Sequence, residues 1–152
     1  AVQNIHGYIA GEHGDSEVPL WSSTEIGGVP ITQWGATLDG GVFDEAKRER
    51  IAHDVVRSAY RIIEGKGATN YAVGLAVQRI IGAVLNDEQR VLTVSPLLED
   101  WHGISDVCMA VPTIVGLEGA GRRLELPLTA DEKERLTASA DHLREVARGL
   151  VY

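Results

Sequence analysis

The chain has 152 residues, 44% of them hydrophobic, with 22 Asp and Glu against 14 Lys and Arg and a formal net charge of -8. That length and composition fit one domain with its own core, and the acidic balance argues against nucleic acid or an anionic membrane as a partner. The longest apolar stretch, Tyr71 to Leu85, is broken by Gln78 and Arg79 and is shorter than the ~20 residues that span a bilayer.

Val2 to Ala10 reads as a strand, with Ile5, Gly7 and Ile9 on one face and His6, Tyr8 and Ala10 on the other. Gly11-Glu12-His13-Gly14-Asp15-Ser16 follows as a loop. From Val18 to Trp34, short extended pieces are broken by Gly27-Gly28 and Pro30, and the glycine-rich Leu38 to Val42 reads as a loop. A helix is expected from about Asp44 to Glu64, where Ile51, Val55, Ala59 and Ile62/Ile63 recur at helical spacing. Gly65 and Gly67 suit its stop. Thr69 or Asn70 can cap a second helix, about Tyr71 to Asn86. This helix is apolar nearly all round, so its own domain or a partner subunit must cover it.

The period then changes. Val91 to Val94, Val107 to Val111 and Leu124 to Leu126 read as antiparallel strands, punctuated by Pro96, Pro112 and Pro127 and turned at Glu118-Gly119-Ala120-Gly121. The single cysteine, Cys108, is expected to be a buried packing thiol, which suits the cytoplasm. Thr129-x-x-Glu132 is a capping box, and Leu136, Ala140, Leu143, Ala147 and Leu150 form one stripe of a final helix. The fold class is α+β, with helices packed on a twisted, mostly antiparallel sheet. The start at Ala1 shows no signal peptide, and the expectation is a piece of a longer protein.

Among side chains that could carry chemistry, His13 stands out. Gly11 and Gly14 let the backbone turn sharply on either side of the ring, and an imidazole exchanges its proton near neutral pH. With Glu12, Asp15 and Glu17 close in sequence, His13 is a candidate general acid/base; the plainer reading is a surface-turn histidine in an acidic loop. Ser16 beside Asp15 suggests a hydrolase, but Gly-x-Ser-x-Gly is absent. His6, His13, His53, His102 and His142 are too scattered for a metal site. Gly-x-Gly-x-x-Gly is also absent, so a dinucleotide-binding domain, if there is one, lies elsewhere.

The run from Gly11 to Ser22 closely resembles the active-site histidine segment of the L-lactate dehydrogenases. Ser58-Ala59-Tyr60 to Gly65-Lys66-Gly67-Ala68-Thr69-Asn70-Tyr71-Ala72-Val73-Gly74 resembles a second block of that family, in the same order. The likeness continues through Val111-Pro112 and Gly116 to Gly121 into the last helix. It implies the C-terminal, substrate-binding half of an NAD-dependent enzyme that interconverts pyruvate and L-lactate. It also implies a Rossmann domain upstream that supplies the orienting aspartate and the arginine that clamps the substrate carboxylate.

By the same resemblance, His13 is the proton donor and acceptor, Thr69 and Ala59 contact substrate, and Val73 lies against the nicotinamide. From residue type alone, Thr69 is a good N-cap and the other two are helix packing. His6 matches a histidine that binds fructose 1,6-bisphosphate across a subunit interface in allosteric bacterial members. Read alone, it is a strand histidine, and one cation cannot make a bisphosphate site. The family further implies a homotetramer. Malate dehydrogenase uses the same histidine chemistry and is the nearest alternative, although Thr69-Asn70-Tyr71 favours lactate. A non-catalytic assembly domain is the alternative of another class.

Overall fold

The N-terminal part is built from short antiparallel pieces in a computed structural model that describes residues 1–34 and 43–150. The expected loop from Leu38 to Val42 lies outside those residues. Strands β1 (Ile5–His6), β4 (Glu25–Ile26) and β5 (Val29–Pro30) form one sheet in the order β1-β4-β5, while β2 (Ile9–Ala10) pairs with β3 (Val18–Pro19). Gly27 and Gly28, at φ 60° and 80°, make the tight β4–β5 turn, which needs left-handed backbone at both positions.

The single strand expected over Val2 to Ala10 is corrected. Val2–Asn4 is a 3₁₀ turn, and the chain changes sheet between His6 and Ile9. Two ladders compete for the segment. β1 pairs with β4, whereas the carbonyl of Tyr8 accepts from Leu20 N at 2.9 Å and β2 goes to β3.

Helix α1 (Glu45–Lys66) starts at Asp44, whose side chain accepts from Lys47 N at 2.9 Å, and ends at Gly67 with φ 83°. Gly65 is thus inside the helix and Gly67 alone closes it. Helix α2 (Tyr71–Leu85) starts after Asn70 and lies over the second sheet, in which β9 (Val111–Gly116) is flanked by β10 (Gly119–Arg123) and β6 (Arg90–Val94). β7 (Leu97–Leu98) pairs with β8 (Val107–Cys108), and helix α3 (Ala130–Gly149) packs on β8 and β3. Every strand pair among the described residues is antiparallel. The class is α+β, as expected.

The strand expected over Val107 to Val111 divides between β8 and β9, which belong to different sheets, and four further details differ from the sequence reading. Pro112 does not punctuate a strand but lies inside β9, where its carbonyl accepts from Leu124 N at 2.8 Å. The turn falls on Leu117-Glu118 instead of Glu118 to Gly121, because Gly119 takes φ 86° and begins β10. Leu124 to Leu126 is irregular, and β10 ends at Arg123. Cys108 is exposed: strand alternation turns Val107 and Met109 inward and leaves the thiol facing out.

The core gathers Ala10, Val18, Leu20, Leu98, Trp101 and Met109 beneath Leu136 and Ala140 of α3. The α3 capping box forms on Thr129 and Glu132, but the stripe is buried only in its first half, since Leu150 is exposed. α1 has no buried residue, and α2 buries only Ala83. Tyr71, Leu75 and Leu85 are 77%, 67% and 75% exposed. No helix among the described residues is long and apolar enough to cross a membrane.

Candidate active site

The loop after β2 is fixed before it reaches the histidine. Gly11 has φ 101° and exchanges two backbone hydrogen bonds with Ala110, at 2.9 and 3.2 Å, which joins the loop to the chain entering β9. A Cβ on Gly11 would stand 2.9 Å from Ser139 Oγ, so both backbone angle and space require glycine here. One residue on, Glu12 N donates to Ser139 Oγ at 2.8 Å. The Glu12 carboxylate accepts from Ser16 N at 3.3 Å and from Ser16 Oγ. The loop therefore closes on itself as well as on α3, and His13 is left exposed at its tip.

A cleft of about 910 Å³ opens beside it. Ala59, Val55, Val56 and Ile63 of α1 line one wall, Ile80 of α2 adds another aliphatic group, and Thr93 and Ser95 supply hydroxyls. Tyr60 Oη donates to Asp15 Oδ1 at 3.3 Å and ties α1 to the histidine loop. Glu17 also lines the cleft. Burial pushes its carboxyl above the ordinary range; the nearby His13 pulls it down and Glu12 pushes it up. His13 and Glu17 thus interact electrostatically, while the Glu12 carboxylate accepts from Ser16 and that of Asp15 from Tyr60. Among the described residues, no three His, Cys, Asp or Glu side chains come together as a metal site requires.

The fold brings His13 and Ala59 to one cleft. Thr69 lies apart, in a cavity of about 470 Å³ between the end of α1 and the start of α2, with Ile62, Lys66 and Tyr71. Asn70, not Thr69, takes the N-cap position of α2, without a side-chain capping bond. Val73 is 55% exposed and lies seven residues before Ile80, a spacing that puts both on nearly the same side of α2. His6 is exposed on β1 opposite Glu25 of β4 and does not line the cleft. Sequence reasoning missed Ser139. No local pattern points to a serine 127 residues from its partner.

A family model described as the alpha/beta C-terminal domain of lactate/malate dehydrogenase matches residues 1–149. The chain belongs to the lactate/malate dehydrogenase family. It is 53% identical over 146 residues to an L-lactate dehydrogenase of Bifidobacterium animalis subsp. lactis, covering 96% of this chain and 46% of the relative. It is 49% identical over 144 residues to L-lactate dehydrogenase 1 of Clostridium acetobutylicum, covering 95% and 46%. The ligand-bound crystal structure of the minor L-lactate dehydrogenase of Enterococcus mundtii superposes with a TM-score of 0.92 at 38% identity, over 99% of this chain and 48% of that one. A lactate dehydrogenase from a Medee basin deep-sea metagenome library gives 0.94 at 35%, over 100% and 48%. The chain spans about half the length of the curated lactate dehydrogenases it matches.

Proposed function

We propose that this chain is the substrate-binding, catalytic half of an NAD-dependent L-lactate dehydrogenase, with His13 exchanging the proton as pyruvate and L-lactate interconvert. The observation that carries this reading is a braced loop that holds an exposed imidazole at a largely apolar cleft, in a member of the lactate/malate dehydrogenase family. A Rossmann half upstream completes the enzyme. Its support is the relatives' length, about twice that of the matched segment.

The residues present fit one edge of a nicotinamide, not a whole dinucleotide. Aliphatic Val55, Val56, Ile63 and Ile80 suit an uncharged ring face, and Val73 continues that side of α2. No phosphate loop occurs in the chain. When bound, NADH supplies the hydride that reaches the ketone carbon. His13, as imidazolium, donates its N–H to the ketone oxygen and yields that proton as negative charge builds there. In the opposite direction the neutral ring accepts the hydroxyl proton. Glu17 lines the same cleft, and the ring's positive charge favours its carboxylate. Ala59 leaves room at the cleft wall for a small 2-oxo acid, and Thr69 at the head of α2 contacts its polar end once the site closes. The relatives named as L-lactate dehydrogenases favour lactate over malate.

The same reading extends to assembly, regulation and location. A homotetramer covers the apolar side of α2 that Tyr71, Leu75 and Leu85 leave exposed. Fructose 1,6-bisphosphate is the effector at His6. His6 is exposed and stands opposite Glu25 in the strand register, so further cations from a neighbouring subunit must complete the site. The cytoplasm suits Cys108, a single exposed thiol that stays reduced there.

The deciding experiment is His13→Asn in the complete enzyme. The expected loss in kcat/KM for pyruvate is roughly 10²- to 10⁴-fold, the usual contribution of a general acid, with NADH binding retained. Near-normal pyruvate reduction with intact NADH binding removes His13 from the mechanism.

A further inference from the structure

We infer that Ser139, a buried serine of α3 that does not itself line the cleft, is a positioning residue for His13. The inference rests on the proton-transfer reading above. Ser139 is 0% exposed, and its hydroxyl is shared between two points of the histidine loop. It accepts from Glu12 N at 2.8 Å and stands 3.1 Å from Ser16 Oγ. Ser16 Oγ in turn donates to the Glu12 carboxylate. The chain Ser139–Ser16–Glu12 thus clamps the residue immediately before His13 by both its backbone and its side chain.

A general acid needs its ring held close to one geometry, and a misplacement of about 1 Å costs on the order of 10²-fold in rate. The bonds between Gly11 and Ala110 fix the entry to the loop against the chain leading into β9. Ser139 fixes the next residue against a different element, α3. Without it, Glu12 N–H loses its acceptor and the residue before His13 loses its tie to α3.

The same network also screens a charge. The titratable and charged groups that face the loop are Glu12, Asp15 and Glu17 of the loop itself, Tyr60 of α1, and Arg57, whose guanidinium stands 5.4 Å over the Tyr60 ring. Asp15 accepts from Tyr60 and Glu12 accepts from Ser16, and both bonds screen their carboxylates, while Glu17 interacts electrostatically with the ring. Removing the Ser16 hydroxyl leaves the Glu12 carboxylate with the Ser16 N–H alone, at 3.3 Å, and its charge less screened.

Two variants of the complete enzyme test the inference. Ser139→Ala is expected to lower kcat for pyruvate reduction by roughly 10- to 100-fold, with KM for pyruvate little changed. Should that variant fail to fold, Ser16→Ala cuts the same network at a less buried position. In Ser16→Ala the Glu12 carboxylate loses the hydroxyl that screens it, so the pH at which kcat/KM for pyruvate falls is expected to move upward. Loss of packing alone does not produce that shift. Wild-type kcat in a folded Ser139→Ala, or an unmoved pH limb in Ser16→Ala, overturns the inference. His13→Asn run alongside separates the two claims. If it remains active, the proton-transfer reading fails. If it is inactive while Ser139→Ala is normal, only the positioning role fails.

Discussion

Replacing Glu132 by glutamine is expected to destabilise the fold by an amount the hydrogen bonds allow us to work out. Glu132 is 4% exposed. Oε1 accepts from Ser22 N at 3.0 Å, and Oε2 accepts from Ser22 Oγ at 2.5 Å and Thr129 N at 2.8 Å. A glutamine has one acceptor end and one donor end. Whichever way it is turned, its NH₂ meets a backbone N–H, either that of Ser22 or that of Thr129. The Ser22 hydroxyl can adapt, since its hydrogen already has Pro127 O at 2.7 Å. The backbone N–H cannot. One buried unpaired donor costs about 1–3 kcal/mol, and the surviving bonds lose charge assistance worth about 1 kcal/mol. The sum is about 2–4 kcal/mol at neutral pH, or roughly 5–15 °C in Tm for a chain of this size.

The pH dependence of that loss has a definite sign. Burial raises the Glu132 carboxyl, but the bonds from Ser22 and Thr129 outweigh it and hold the group below its ordinary value of 4.5. The carboxylate therefore contributes stability above that value, and the contribution is lost as pH falls through the lower folded-state value. Denaturant unfolding followed by circular dichroism, for wild type and Glu132→Gln, should show a gap at pH 7 that narrows on acidification below 4.5. A gap under about 1 kcal/mol at pH 7, or one that widens in acid, refutes the reasoning.

Glu17→Gln removes the carboxylate that favours the His13 cation, so the falling limb of kcat/KM for pyruvate should move to lower pH in steady-state profiles. That is opposite to the shift expected for Ser16→Ala. Light scattering of the complete enzyme is expected to give a tetramer, and fructose 1,6-bisphosphate should lower the pyruvate concentration at half-saturation in wild type but not in His6→Ala. A stable active monomer, or equal activation of both proteins, rejects that part of the reading.

Local chemistry was legible before any coordinates. The Thr129/Glu132 capping box, the start of α1 at Asp44 and its stop at Gly67 each depend on residues within four positions of one another. Periodicity gave three helices their type and nearly their bounds. The glycines around His13 marked a loop, and Gly11 does take left-handed backbone there. Strand bounds were less legible, because pairing partners decide them. β1 and β2 belong to different ladders, Pro112 lies inside β9 since neighbours on both sides hold it, and Leu124 to Leu126 stays irregular.

Burial was decided still further from the sequence. The stripes on α1 and α2 are as apolar as that on α3, yet α1 buries no residue and α2, although it lies over β9, buries only Ala83, whereas α3 buries Leu136 and Ala140 at 0% exposure. The site shows the same division. Residue type marked His13, but only the fold sets Ala59 across the cleft from it, keeps Thr69 in a separate cavity, and brings Ser139 from α3 to the backbone of Glu12. A sequence fixes which groups exist and what their near neighbours allow. Contacts between distant segments depend on which surfaces win the competition for burial and hydrogen bonds, and that is settled only when the whole chain is packed.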